Sequence, residues 1–117
     1  MKGKVSPLEI IEANFYFPND GSFKPHPVLV VSTSELFDEE EIFYGVLMTT
    51  KNIIPKYTIK IESAWLTKSP NKDGYFATHF VQIFTMDDVT KKNNTFLKPE
   101  YFDRVKSKII KSVFHEI

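Results

Sequence analysis

The sequence predicts a mainly β fold: a small, strongly bent antiparallel barrel with a C-terminal α-helix. Five or six short runs rich in β-branched and aromatic residues are separated by turn-forming residues. Eleven Phe, five Tyr and one Trp supply the bulk of a compact β-rich core. The end of the chain instead carries apolar residues at helical spacing. The length predicts that residues 1–117 form a single domain.

The first two predicted strands surround a turn. Leu8–Phe17 is rich in apolar and aromatic residues, and the sequence PNDG after it contains the residues that tight turns prefer. Pro27–Ser32 is a valine-rich run, typical of a strand covered on both faces. Since proline cannot donate to a ladder, Pro27 is expected at the start of this strand or on an edge. His26 then lies directly at the opening of the strand.

Three further strands are predicted in the middle of the chain. Ile42–Thr50 and Tyr57–Ser63 are the third and fourth, and Ser34–Glu41 before them is a loop or a short helical turn. Tyr75–Met86 is a long strand, expected to be bent or bulged. The sequence DDVTKKNN that follows, residues 87–94, is interpreted as a polar connection.

The C-terminal segment is predicted to be an amphipathic helix. Pro99 suits the first turn, where its missing N–H is not needed. Lysines fall off the apolar stripe and toward the C-terminus, which the helix dipole favours. The helix would cover an open end or an edge of the barrel. The apolar stripe consists of Phe102, Val105, Ile109 and Val113.

Composition excludes several classes of function. The formal net charge is zero, which argues against a strongly basic, non-specific nucleic-acid binder. Without cysteine there is no disulfide framework, thiolate metal site or cysteine nucleophile. No glycine-rich phosphate loop occurs, and the three histidines lie far apart, so neither a cofactor nor a metal is expected. No run reaches the roughly 18 apolar residues of a membrane span, so a cytoplasmic protein is expected.

Four residues form the candidate catalytic group. His26 opens one predicted strand, Thr49 and Thr50 end another, and His79 lies in the long strand. If these positions meet at one mouth of the barrel, the histidines suit general acid–base work at neutral pH. A threonine hydroxyl and backbone N–H groups suit a phosphate oxygen. This chemistry cleaves RNA through its own 2′-hydroxyl. The alternative is that all four are ordinary loop and strand residues.

The order of segments resembles the MazF/PemK family, the endoribonuclease toxins of bacterial toxin–antitoxin pairs. That family has a strand, a glycine-containing loop, an R-P-x-L-V-V-S strand, a strand ending in P-I-T-S, a D-Q-[IV]-x-T-[VI]-D segment and a C-terminal helix. The corresponding stretches here are NFYFPNDGSFKPHPVLVVS, GVLMTT, FVQIFTMDDV and FLKPEYFDRVKSKIIKSVF. The resemblance spans nearly the whole chain, from about Leu8 to Phe114.

The resemblance implies roles for individual residues. His26 stands where the family has its catalytic arginine, and Thr49 falls on the catalytic threonine, followed by Thr50 in place of a serine. His79 lies where some PemK-like members have a functional arginine. Val81 stands where an acidic residue is usual, so two family positions differ in chemistry. The residues that match the later motif are Gln82, Ile83, Thr85 and Asp87.

The family further implies an SH3-like barrel that forms a homodimer and cuts single-stranded messenger RNA without a metal ion. A partner antitoxin would block the RNA groove with an acidic segment. The alternative is a catalytically degenerate barrel that binds nucleic acid or protein. Catalytic residues would be His26, Thr49 and His79, and substrate-binding residues Phe23, Lys24, Thr50, Lys51 and Gln82. Further candidate RNA contacts are Lys56, Tyr57, Trp65 and Tyr75.

Overall fold

The computed structural model of the chain describes residues 3–51, 54–70 and 72–115. Short 3₁₀ turns lie at Ser63–Trp65, Met86–Asp88 and Pro99–Tyr101. The strands are β1 Glu9–Phe17, β2 Ser22–Val30, β3 Phe43–Thr49, β4 Thr58–Ile61, β5 Gly74–Phe84 and β6 Val89–Phe96. The helices are α1 Ser34–Glu40 and α2 Phe102–Val113.

The six strands form one antiparallel sheet in the order β4-β5-β3-β2-β1-β6. β4 and β6 are therefore its two edges. A single bridge between Leu66 and Leu97 joins the segment after β4 to the chain just past β6. The predicted mainly β class with a C-terminal helix is confirmed. Within the described ranges, however, the ladder of the sheet does not close into a continuous barrel.

Two apolar clusters hold the sheet together. Buried aromatic residues dominate the first, and aliphatic residues together with α2 form the second. Each side chain named below is almost completely buried, so each removes a large apolar area from water. The first cluster includes Phe15, Val28, Phe43 and Phe84. The second includes Leu29, Val46, Phe76 and Val105.

β2 begins five residues earlier than predicted, so Pro27 does not start the strand but lies, as the alternative had it, where the strand has an unpaired edge. The strand pairs with β1 from Ser22 onward, but with β3 only at Val28–Val30. Val31 donates to Tyr44 of β3, and backbone polar groups alternate sides along a strand. The nitrogens of Pro25 and Pro27 therefore face the unpaired side, where no donor is required.

β6 was missed altogether, because residues 87–94 were interpreted as a polar connection. It forms an edge of the sheet and pairs only with β1, so most of its side chains remain in water. The register shifts between Ile10 and Ile11 of β1, and Asn94 adopts a positive φ of 57° at this irregularity. A polar, asparagine-containing stretch thus forms a strand because β1 offers a backbone partner.

The two helices differ in how far they follow the prediction. Ser34–Glu40 is an α-helix, and the Thr33 side chain caps it by accepting from Leu36 N at 3.1 Å. In α2, Val105 is buried as predicted, but Val113 is about half exposed. The apolar stripe thus packs on the sheet at its beginning and faces solvent at its end. Among the described helices, none is long and apolar enough to cross a membrane.

A buried carboxylate ties β6 to β1, and its loss should destabilise the fold. Glu9 is 4% exposed, accepts from Ser6 N at 3.0 Å and lies 3.4 Å from Lys92 Nζ. Lys92→Met leaves this carboxylate without its cation, and we expect unfolding free energy to fall by about 2 kcal/mol. Lys91→Met, at an exposed neighbour, should cost under about 0.5 kcal/mol. Urea unfolding measures both, and equal losses would contradict a role for the pair.

Candidate active site

A cavity opens where β2 and β3 diverge. On the N-terminal side of Val28, β2 no longer pairs with β3. The space between the two strands continues along β4 and β5. Its volume is about 970 Å³, which is in the range of small-molecule sites. Six of the predicted functional residues line it: Lys24, His26, Thr49, Thr50, Lys51 and His79.

His26 lies in the middle of β2, opposite Ala13 of β1, rather than at a strand opening. Its ring packs edge-on to Phe17, with 5.2 Å between the centroids. Burial, and then the nearby Lys24 charge, lower the pKa of His26 below its ordinary value of 6.5. A hydrogen-bonding interaction with the Met48 backbone and the more distant Glu12 act in the opposite direction. The imidazole is therefore mostly neutral at pH 7.

Thr49 follows Met48, whose backbone interacts with His26, and both His26 and Thr49 line the cavity. Thr49 is the last residue of β3 and is half-buried. Its Oγ1 accepts from Lys51 N at 3.2 Å. A hydroxyl that accepts one bond still has its own proton to donate. Thr49 can thus donate to a ligand oxygen in the cavity.

A bulge in β5 explains how His79 reaches the cavity. Val46 of β3 pairs with Val81, but the next residue, Leu47, pairs with Ala77. The three residues Thr78–Phe80 therefore have no partner on β3. Such bulges bend a strand and redirect its side chains. The sequence indicated a bent or bulged strand, and the structure places the irregularity at His79.

Aromatic rings surround His79. Tyr57 stacks on it with 4.7 Å between centroids and 26° between planes, and Phe80 lies 4.4 Å away. Nδ1 is shielded from solvent and has no hydrogen-bond partner among the described residues. Burial lowers the pKa of His79 below 6.5.

The two histidines share a cavity but do not form a contacting pair. Phe17 contacts His26 at 5.2 Å, Phe80 contacts His79 at 4.4 Å, and these two phenyl rings lie 6.4 Å apart. Two aromatic rings thus connect one imidazole to the other.

Six predicted contact residues do not line the cavity: Phe23, Lys56, Tyr57, Trp65, Tyr75 and Gln82. Phe23 is 66% exposed, packs on the Tyr16 ring and does not line the cavity. Gln82 uses both polar atoms of its amide on the Tyr16 backbone, donating to its carbonyl and accepting from its N–H, each at 3.0 Å. Trp65 is 5% exposed and stacks on Tyr101 in the second cluster. Trp65 and Gln82 thus stabilise the fold, whereas Phe23 lies on the exposed surface.

Sequence reasoning missed several cavity residues. Lys72 and Asp73 come from the loop before β5, and Asp20 comes from the turn after β1. Each was recognised only as part of a turn signal, because sequence spacing does not show that the two loops meet. Lys24 lies 3.9 Å from Asp20 and 6.0 Å from the centre of the Phe17 ring. In the described ranges no three His, Asp or Glu side chains group together as metal ligands.

The positive charges of the cavity are all lysines. The single arginine of the chain, Arg104, lies over the Trp65 ring at 5.8 Å, on α2. The lining cations are Lys24, Lys51 and Lys72. A lysine supplies a point charge to a phosphate, whereas arginine supplies a planar fork with two parallel hydrogen bonds.

Comparison with known proteins identifies the family. The family model of PemK-like, MazF-like toxins of type II toxin–antitoxin systems matches residues 6–113. The chain belongs to this family. No curated protein sequence matches it significantly.

Solved structures of MazF toxins share the fold. MazF from Deinococcus radiodurans has a TM-score of 0.73 at 11% identity, over 93% of this chain and 96% of that one. An endoribonuclease from a mycobacterial species has 0.72 at 11% identity, over 96% and 93%. A mycobacterial endoribonuclease in complex with its cognate antitoxin has 0.69 at 11% identity, over 92% and 93%. At such low identity the likeness establishes the MazF fold.

Proposed function

We propose that this MazF-like chain is an endoribonuclease that cleaves single-stranded RNA without a metal ion. The observation that carries the proposal is the position of His26 against the Met48 backbone, in a cavity that also contains Thr49 and Lys24. A neutral imidazole together with a hydroxyl donor and a cation is a suitable set for attack by a 2′-hydroxyl. The endoribonuclease activity named for two structural relatives supports the same reaction.

In the proposed reaction His26 accepts the proton of the 2′-hydroxyl while the 2′-oxygen forms a bond to phosphorus. The bond from phosphorus to the 5′-oxygen breaks, and that oxygen takes up a proton from water. The products are a 2′,3′-cyclic phosphate and a 5′-hydroxyl. Thr49 donates its hydroxyl proton to a phosphate oxygen, which develops negative charge, and Lys24, Lys51 and the exposed Thr50 hold the phosphate chain.

Incubation with labelled single-stranded RNA in EDTA tests this function. We expect cleavage with cyclic-phosphate and 5′-hydroxyl ends, identified by mass spectrometry. A matched oligonucleotide with 2′-deoxy residues throughout lacks the nucleophile and should remain intact. If the DNA is cut as fast as the RNA, or if EDTA stops the reaction, the proposed mechanism is wrong.

The pH profile of cleavage should follow His26. The neutral ring is the active form, so kcat/KM falls as pH decreases through the pKa of His26. Since burial and Lys24 lower this pKa, the midpoint should lie below pH 6.5, with a plateau above it. Initial rates between pH 4.5 and 8 measure it, and His79→Gln removes the other cavity histidine from the profile. A midpoint at or above pH 6.5 would contradict His26 as the base.

A second candidate function is a catalytically degenerate barrel that binds RNA or protein. The specific observation in its favour is that lysines alone supply the cations of the cavity, while Arg104 packs on Trp65. This reading predicts that the wild-type chain binds single-stranded RNA but leaves it uncut. The cleavage assay above therefore separates the two functions.

A homodimer in the cytoplasm and an antitoxin partner complete the proposal. MazF relatives have been crystallised with their antitoxins, and the three cavity lysines suit an acidic segment.

Light scattering should give twice the chain mass of 13.6 kDa, and a monomer would contradict the dimer. Exposed apolar side chains that a second copy can cover are Tyr16, Phe23, Tyr44, Ile83, Ile110, Val113 and Phe114.

A further inference from the structure

His79 lines the cavity, and two aromatic rings pack against its imidazole. Tyr57 stacks on the imidazole at 4.7 Å, and Phe80 covers it at 4.4 Å. These rings occupy the surface on which a nucleobase would otherwise stack. A ligand in the cavity therefore meets His79 through a ring atom in the imidazole plane.

The two ring nitrogens of His79 have different surroundings. Nδ1 is shielded from solvent and lacks a partner among the described residues, whereas Nε2 is not shielded in this way. A protonated ring would need acceptors for both N–H groups, and a buried N–H without an acceptor is rare in proteins. The arrangement favours a neutral ring whose single proton is on Nε2. Burial lowers the pKa of His79 in the same direction.

Building on the proposed function, we propose that His79 is a specificity residue for RNA: its neutral ring donates Nε2–H to an acceptor on a nucleobase. The cavity wall near His79 is apolar, which suits a nucleobase more than a phosphate. The lysines of the cavity can bind the phosphates. The apolar lining residues that flank His79 on β5 are Ala77 and Phe80.

This role differs from the acid–base work that the sequence predicted for the two histidines, in which His79 would act as the acid if His26 is the base. An acid gives its proton to the leaving oxygen at every cut site, so its loss slows all sites alike. A base-reading donor acts on one position of the substrate, so its loss changes which sites are preferred. The two roles thus separate by the pattern of cleavage and not only by its rate.

The test compares wild type, His79→Gln and His79→Phe on a random-sequence RNA pool in EDTA, with the cut ends sequenced. Phe keeps the aromatic stack on Tyr57 but has no donor, whereas Gln keeps an N–H donor that cannot become an imidazolium. We expect His79→Phe to lose about tenfold preference for one base at one position. We expect His79→Gln to restore most of that preference.

Three results would overturn the role. An unchanged base preference in His79→Phe leaves His79 a packing residue only. If His79→Gln restores none of the lost preference, a donated hydrogen bond is not the cause of that preference. A uniform loss of about 10²-fold or more at every site, in both variants, identifies an acid instead.

A binding experiment makes this test independent of catalysis. A random 2′-O-methyl RNA pool cannot be cleaved, and sequencing the bound fraction reads base preference directly. If wild type fails to cut RNA, the proposed function is wrong, but loss of the bound preference in His79→Phe still supports the specificity role. If the bound preference is the same in wild type and His79→Phe, the specificity role is wrong whatever the activity.

Discussion

Replacing His26 with alanine is expected to reduce RNA cleavage by about 10²- to 10⁴-fold, the usual contribution of a positioned general base. The imidazole is mostly neutral at pH 7 and lines the cavity together with Thr49, so its removal takes away the acceptor for the 2′-hydroxyl proton. The effect should fall on kcat more than on KM, because Lys24 and Lys51 still hold the phosphates. Single-turnover cleavage of a labelled oligonucleotide measures it.

A matched histidine serves as the control. His115 is exposed at the end of the chain and does not line the cavity, so His115→Ala should cleave like wild type. His26→Asn adds a second comparison, since it keeps a polar side chain of similar size that cannot take up the proton. Wild-type rates in either His26 variant would remove this residue from the mechanism.

The position of His26 illustrates what the sequence could and could not provide. The segment PVLVVS was correctly identified as a strand. The predicted start of this strand was too late, because it relied on the rule that proline avoids strand interiors. That rule holds for strands paired on both sides, whereas Ser22–Pro27 pairs only with β1. The one-sided pairing that makes Pro25 and Pro27 tolerable also opens the cavity beside His26.

The residues of β5 show a second limit of prediction from the sequence. Gln82 matches a family motif, but its amide is fully engaged with the Tyr16 backbone. Val81, at a position that is usually acidic, packs against the second cluster, where a carboxylate would lose its hydration. The bulge at His79 depends on the pairing of β5 with β3, which period-two alternation along one strand does not encode. Motif order therefore predicted the fold better than it predicted side-chain roles.

Replacing Phe15 with alanine should lower the unfolding free energy by about 4 kcal/mol. Phe15 is 1% exposed and contacts Phe17, Phe80 and Phe84 at centroid distances of 5.2, 6.1 and 5.9 Å. Truncation leaves a cavity among large aromatic rings, which cannot collapse to fill it. Since a domain of this size is stable by only about 5–15 kcal/mol, the variant should unfold at a much lower urea concentration.

Phe23→Ala is the matched control, because Phe23 lies on the next strand but is 66% exposed, and it should cost at most about 0.5 kcal/mol. Similar losses in both variants would contradict an aromatic core centred on Phe15. The comparison also concerns the site, since Phe17 packs on His26 and Phe80 on His79. Phe15 supports both of these rings, so under conditions where Phe15→Ala remains folded, its cleavage rate should fall more than that of Phe23→Ala. The aromatic core beneath the cavity thus fixes the positions of the two imidazoles, on which both proposed roles depend.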